Sequence, residues 1–156
     1  MSDKKSVKKV SVNREKTCPL LLRMFCSNGK HHDPHDFING STPTSSSELQ
    51  IYTWMDANLE ELTNLIQEVN PDCRTRGTVF DFRIVYPDLK SDRYRMKVMG
   101  TVVSGVMNDD NSYTLKDKHF QIGDYIDVAI IEPVGGSNYL ADLANRTGIR
   151  PNKTRR

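Results

Sequence analysis

Residues 47–69 (SELQIYTWMDANLEELTNLIQEV) change hydrophobic period within a few positions, and that change restricts the fold more than any other part of the chain. Leu49, Ile51 and Thr53 alternate with polar or exposed positions, the period-two pattern of a strand. From Asp56 the spacing becomes helical, because Leu59, Leu62, Leu65, Ile66 and Val69 recur at three- and four-residue steps along one face. Asp56 is expected to cap this helix, Glu60 and Glu61 suit its positive end, and Asn70-Pro71 should stop it. A helix this short is marginal in water by itself. It needs a sheet, and its five apolar side chains are expected to lie against one.

The strands for that sheet can be read on either side. Leu20 to Cys26 alternates Leu20, Leu22 and Met24 against Leu21, Arg23 and Phe25; apolar residues on both faces predict an interior strand. Val79 to Tyr86 sets Phe80, Phe82, Ile84 and Tyr86 against Asp81 and Arg83, and should end at Pro87-Asp88. Tyr94, Met96 and Val98 against Arg95 and Lys97 predict a fourth strand closed by Gly100, with Val102 and Val103 as an extension past a kink. Asn108 to Asn111 reads as a turn or exposed loop, and Tyr125 to Ile131 as a fifth strand opened by a turn at Ile122-Gly123-Asp124. The order β-β-α-β-β-β fits an α+β fold of the β-grasp, ubiquitin-like kind: a mixed sheet of about five strands on one main helix, with a long loop at 30–47.

Composition limits what such a fold can do. At 156 residues the chain can bury a core without metals or disulfides. Its three cysteines are odd in number and unpaired in spacing, which suits a reducing compartment. No apolar run reaches membrane-spanning length, and the charged N-terminus lacks the apolar stretch of a secretory signal, so an intracellular site is expected. Residues 1–16 carry six basic and two acidic side chains, and residues 137–156 five and one, each a net +4. The overall +2 therefore leaves −6 on residues 17–136, a body that repels phosphate backbones. Nucleic acid is expected to be met only indirectly, or weakly through the basic ends. The expected organisation is a basic disordered arm (1–16), a folded domain (17–133), and a linker with a short helix around Tyr139, Leu140, Leu143 and Ala144 ahead of a basic tail (134–156).

Residues 14–25 (REKTCPLLLRMF), the 47–69 segment and residues 120–130 (FQIGDYIDVAI) occur in an order that resembles the small Sin-three-associated polypeptide family. The resemblance covers roughly residues 13 to 132. It implies a nuclear, non-enzymatic ubiquitin-like adaptor, with the cytoplasm open as a second location. It also implies two settings: transcriptional repression with the Sin-three histone deacetylase corepressor, and splicing control with the exon-junction machinery. The partners implied in the second are Acinus or Pinin and the RNA-binding protein with serine-rich domain, joined in the apoptosis- and splicing-associated complex.

Several constellations compete with this reading. His31, His32, Asp33, His35 and Asp36 have metal-like side chains, but no Cys/His pair elsewhere completes a tetrahedral set. A polar surface loop anchored by Phe37 fits better, and the resemblance, whose members share a similar His-His pair without being metalloproteins, agrees. Cys73 lies at a helix exit and lacks a histidine placed by sequence, a poor setting for a nucleophile; Cys18 and Cys26 read as strand residues. Gly135-Gly136 follows the last strand, where a ubiquitin-like modifier carries its diglycine, yet about twenty residues would have to be removed to expose it. A linker is expected there. No catalytic residue, metal or cofactor is expected. Trp54, Tyr52 and Tyr94 suit either core packing or an interface anchor. The partner-binding candidates are His31, His32, Phe37, Glu48, Gln50, Tyr52 and Trp54, in the loop and entry strand that the family motifs cover.

Overall fold

The period change at 47–69 resolves into a seven-residue strand followed by one helix in the computed structural model of the chain, which describes residues 12–43 and 47–133. The strands are β1 (Leu20–Asn28), β2 (Ser47–Thr53), β3 (Val79–Asp88), β4 (Arg93–Val103) and β5 (Tyr125–Ile131), with the helix α1 spanning Leu59–Val69. They form one sheet in the order β2-β1-β5-β3-β4. β1 and β5 run parallel and every other pair is antiparallel, giving the mixed β-grasp sheet that the element order implied. β5 is central, and five of its seven residues are buried. β1 lies inside the sheet as expected, with Leu22 and Met24 on the helix side and Phe25 buried on the opposite face.

The helix differs from expectation at both ends. Asn58, not Asp56, is the cap: its side-chain oxygen accepts from the Glu61 amide at 2.9 Å. An extended residue directly before the first helical position is what capping geometry requires, and Asp56 stands two residues too early. At the other end Val69 is 64% exposed, so the apolar face stops at Ile66. Leu59, Leu62 and Ile66 enter the core, contributing at most about 1.5–3 kcal/mol each. Thr63 is buried beside them, its hydroxyl donating to the Leu59 carbonyl at 2.7 Å.

β4 departs further. It runs unbroken through Gly100 because the register with β3 slips: Phe82 faces Gly100, while Arg83 faces Val98. Met99 is the extra residue of this bulge, and the alternation inverts there. Before the slip Val98 shares the outer face with Tyr94 and Met96 and is 68% exposed, while Met99 is buried in the helix-side core. On β3, Val85 is buried on the outer face while Tyr86 is only half-buried, and the strand continues to Asp88. Cys18 is exposed and outside any strand, whereas Cys26 belongs to β1. The acidic segment after β4 is a 3-10 turn (Asp109–Ser112) whose Asn111 is buried. Residues 134–156, with the expected short helix and the Gly135-Gly136 joint, lie outside the described residues.

Gly100 is where the sheet and helix come closest. A Cβ there would stand 2.7 Å from Leu59 Cδ1 and 3.2 Å from Asp110 Oδ2. Both neighbours are packed, so Gly100→Ala should cost about 1–3 kcal/mol through overpacking. The expected result is a lower midpoint in urea with an unchanged denaturant slope; an unaltered midpoint would show that Leu59 can step aside.

Candidate partner-binding surface

The loop after β1 is held to the outer face of the sheet by two adjacent histidines. Asp127 stands at the middle of β5 with no solvent exposure. His31 meets it through Nδ1 at 2.7 Å and reaches Asp81 on β3 through Nε2 at 2.8 Å. His32 binds the other Asp127 oxygen through Nδ1, and its backbone amide donates to Asp127 at 3.2 Å. Thr101 on β4 donates to the second Asp81 oxygen at 3.2 Å. An imidazole with a carboxylate at each nitrogen donates twice only when protonated. Burial disfavours the His31 cation, but the hydrogen bonds to Asp127 and Asp81 outweigh it and raise the pKa. Burial likewise works to raise the Asp127 pKa, and the bonds from His31 and His32 overcome it and lower the value.

Two residues on, the Asp33 side chain accepts from the His35 amide at 2.9 Å and starts a 3-10 segment (Pro34–Gly40). That segment drives Phe37 into the outer face. Phe37 is fully buried, edge-on to Phe25 at 5.4 Å and stacked on Tyr125 at 5.5 Å, with Val85, Tyr94 and Met96 around it. Of the seven candidate residues, His31, His32 and Phe37 thus point inward and fix the loop.

Glu48, Gln50 and Tyr52 sit together elsewhere, on the outward face of β2. β2 is an edge strand, and no described strand pairs with its outer side. Tyr52 is 72% exposed opposite Leu21, which is itself exposed. Arg23 bonds Glu48 and lies over the Phe25 and Tyr125 rings at 5.5 and 5.4 Å. The bond from Arg23 is the main cause that lowers the Glu48 pKa, with burial opposing and Gln50 assisting at 3.0 Å. The other edge, β4, is guarded. Asp110 accepts from the Thr101 amide at 2.9 Å, Asn108 donates to the Thr101 carbonyl at 3.3 Å, and Val103 bridges Val106. Arg93, Arg95 and the bulge protect the rest, the usual defences against stray strand pairing.

Trp54 belongs to neither group. Its indole donates to the Thr17 carbonyl at 2.7 Å, and Arg14 lies 5.0 Å over its ring. Arg14 also forks onto both Glu61 oxygens at 3.0 Å and bonds Asp56 at 3.0 Å, which together raise its pKa. Asp56 therefore anchors the segment before β1. Sequence reasoning gave no role to Arg14, Asp81 or Asp127. Asp127 did leave a signal, as the one charge in an otherwise apolar strand.

The Cys26 and Cys73 thiols are poor nucleophiles: burial, with smaller contributions from Asp127 and Cys73, pushes Cys26 up to about 12, and burial also raises Cys73. No described helix is long and apolar enough to cross a membrane.

The histidine clamp has a pH signature. Its His31 contribution is complete below the unfolded value of about 6.5 and fades as pH rises through the raised folded value. The Asp127 contribution is complete above an unfolded value of about 3.9 and fades as pH falls through the lowered one. Stability from the clamp should peak between these limits. Thermal midpoints measured across pH should decline on the alkaline side in the parent, and His31→Gln should flatten that decline; parallel profiles would mean the imidazole does not titrate with folding.

Comparison with known proteins agrees with the architecture. The family model for Sin3 associated polypeptide p18 (SAP18) matches residues 11–130. Histone deacetylase complex subunit SAP18 of Bos taurus is 55% identical over 123 residues, 78% of this chain and 79% of its own. The Drosophila melanogaster protein of that name is 47% identical over 133 residues, covering 85% and 86% of the two chains. The Arabidopsis thaliana protein is 45% identical over 122 residues, covering 76% and 78%. With the family model spanning most of the sequence and relatives this similar across kingdoms, the chain belongs to the Sin3 associated polypeptide p18 family.

Proposed function

We propose that this chain is a non-enzymatic adaptor subunit of a nuclear histone deacetylase corepressor assembly, and that it holds an extended segment of a partner protein along the outer edge of β2. The observation that carries the reading is that edge: a strand without a described neighbour on one side, beside a tyrosine 72% exposed. Adding a strand there supplies main-chain hydrogen bonds, while Glu48, Gln50 and Tyr52 read alternate side chains. The relatives' names, as histone deacetylase complex subunits, and the family's description by Sin3 support this assembly and partner. Poorly nucleophilic buried thiols and imidazoles committed to carboxylates support a role without chemistry.

The same adaptor role extends to splicing. Acinus or Pinin and the RNA-binding protein with serine-rich domain are the partners we infer in that setting, together with the exon-junction machinery. An acidic body of net −6 suits Arg/Ser-rich segments, acting on association rate and selectivity more than on final affinity. Contact with RNA falls to those partners, or weakly to the basic ends.

Tyr52→Ala tests the edge. An exposed aromatic anchor of this kind is expected to cost about tenfold or more in capture of the Sin3-type partner from nuclear extract. Its exposure predicts a thermal midpoint shifted by no more than about 2 °C. Full capture by the variant would remove β2 as the binding edge, and a collapsed midpoint would make Tyr52 a folding residue.

A further inference from the structure

We propose that the segment 138–144 of this same chain seats in the groove between the C-terminal end of α1 and the adjoining ends of β1 and β2. The groove has a volume of about 770 Å³, with Cys26, Leu49, Ile66, Val69 and Ile130 as apolar lining and Asn70 at its rim. Val69, an apolar residue in the last helical turn on the stripe begun by Leu59 and Ile66, is 64% exposed at this groove.

Where the described chain leaves the fold identifies the occupant. β5 ends at Ile131, one residue past the lining residue Ile130, whose carbonyl accepts from the Gly29 amide at 2.8 Å. The chain therefore departs from the groove's own wall. Gly135-Gly136-Ser137 follows and permits a reversal, after which come Tyr139, Leu140 and Leu143, the first large apolar residues beyond that joint. Tyr139 stands eight positions beyond Ile131, a reach of at most about 28 Å, enough to fold back on a groove that starts at the exit point. A tether this short holds the segment at about millimolar effective concentration, so modest apolar burial suffices for occupancy.

This inference goes beyond the adaptor reading and does not depend on it, since no partner takes part.

The test uses the full chain, methyl-labelled at Ile, Leu and Val, beside the double variant Leu140→Asp with Leu143→Asp. In the parent, nuclear Overhauser contacts from the Tyr139 ring to the Val69 and Ile130 methyls are expected. In the variant these should vanish, the Val69 and Leu49 methyls should shift, and Cys26 should alkylate several-fold faster while exposed Cys18 reacts unchanged. Identical methyl positions in parent and variant would overturn the proposal. Contacts seen only between differently labelled copies in a mixed sample would also overturn it, making a second molecule the occupant.

Discussion

Asp127 has no contact with solvent at the middle of the central strand, where an unpaired carboxylate would cost several kcal/mol. The two consecutive imidazoles of His31 and His32 remove that cost, one on each oxygen. Since β5 is flanked by β1 and β3, this carboxylate can be reached only from a face of the sheet. The helix occupies one face, so the loop must cross the other. Once it does, the Asp33 cap and the 3-10 segment leave Phe37 over Phe25 and Tyr125. A buried charge in the sheet's centre thus determines which part of the outer face is closed. The outer face is covered from Phe25 of β1 across β5 and β3 to Tyr94 and Met96 of β4, and Leu21 and Tyr52 remain exposed toward the β2 edge.

That division matters because a sheet has two edges and an adaptor should offer one. β4 is the longer strand and the greater hazard for unspecific pairing. Its outward amide and carbonyl at Thr101 are taken by Asp110 and Asn108, side chains acting where a neighbouring strand would. The bulge at Met99 twists what is left, and arginines follow on the hairpin side. Among the described residues, β2 has none of these defences. Its outward side chains Glu48, Gln50 and Tyr52 are polar or aromatic, and the strand is short. Under the proposed capture at β2, specificity comes as much from blocking β4 as from shaping β2.

Much of this is legible in the residues. Alternation locates all five strands, and the change to a three-to-four spacing locates the helix, because both periods reflect which face is buried. Three features are not legible, each for a physical reason. The bulge turns on a register slip that one strand's sequence does not encode, so the alternation of Tyr94, Met96 and Val98 does not carry on through Gly100. The cap at Asn58 depends on where the chain bends into the helix, and two acceptors two residues apart compete for the role. The clamp joins residues 96 positions apart, and a double histidine cannot announce its partner. Phe37 anchors the loop as its lone aromatic residue suggests, while the imidazoles' inward direction becomes visible only once β5 supplies the carboxylate.

The inward and outward halves of the loop-and-strand region are linked through one side chain. Arg23 rests its guanidinium on Phe25 and Tyr125, the rings that receive Phe37, and bonds Glu48 on the exposed edge strand. A cation held over ring faces keeps its direction only while those rings keep theirs. Glu48 in turn accepts from Gln50, so the polar face of β2 takes its arrangement from the aromatic cluster beneath the loop. Disturbance of His31, His32 or Phe37 can therefore reach the partner we propose at β2 without any of the three touching it. Effects of such changes on binding should be read through the orientation of Glu48 and Gln50, and residues grouped by proximity in sequence divide by mechanism into those that hold the face and those that present it.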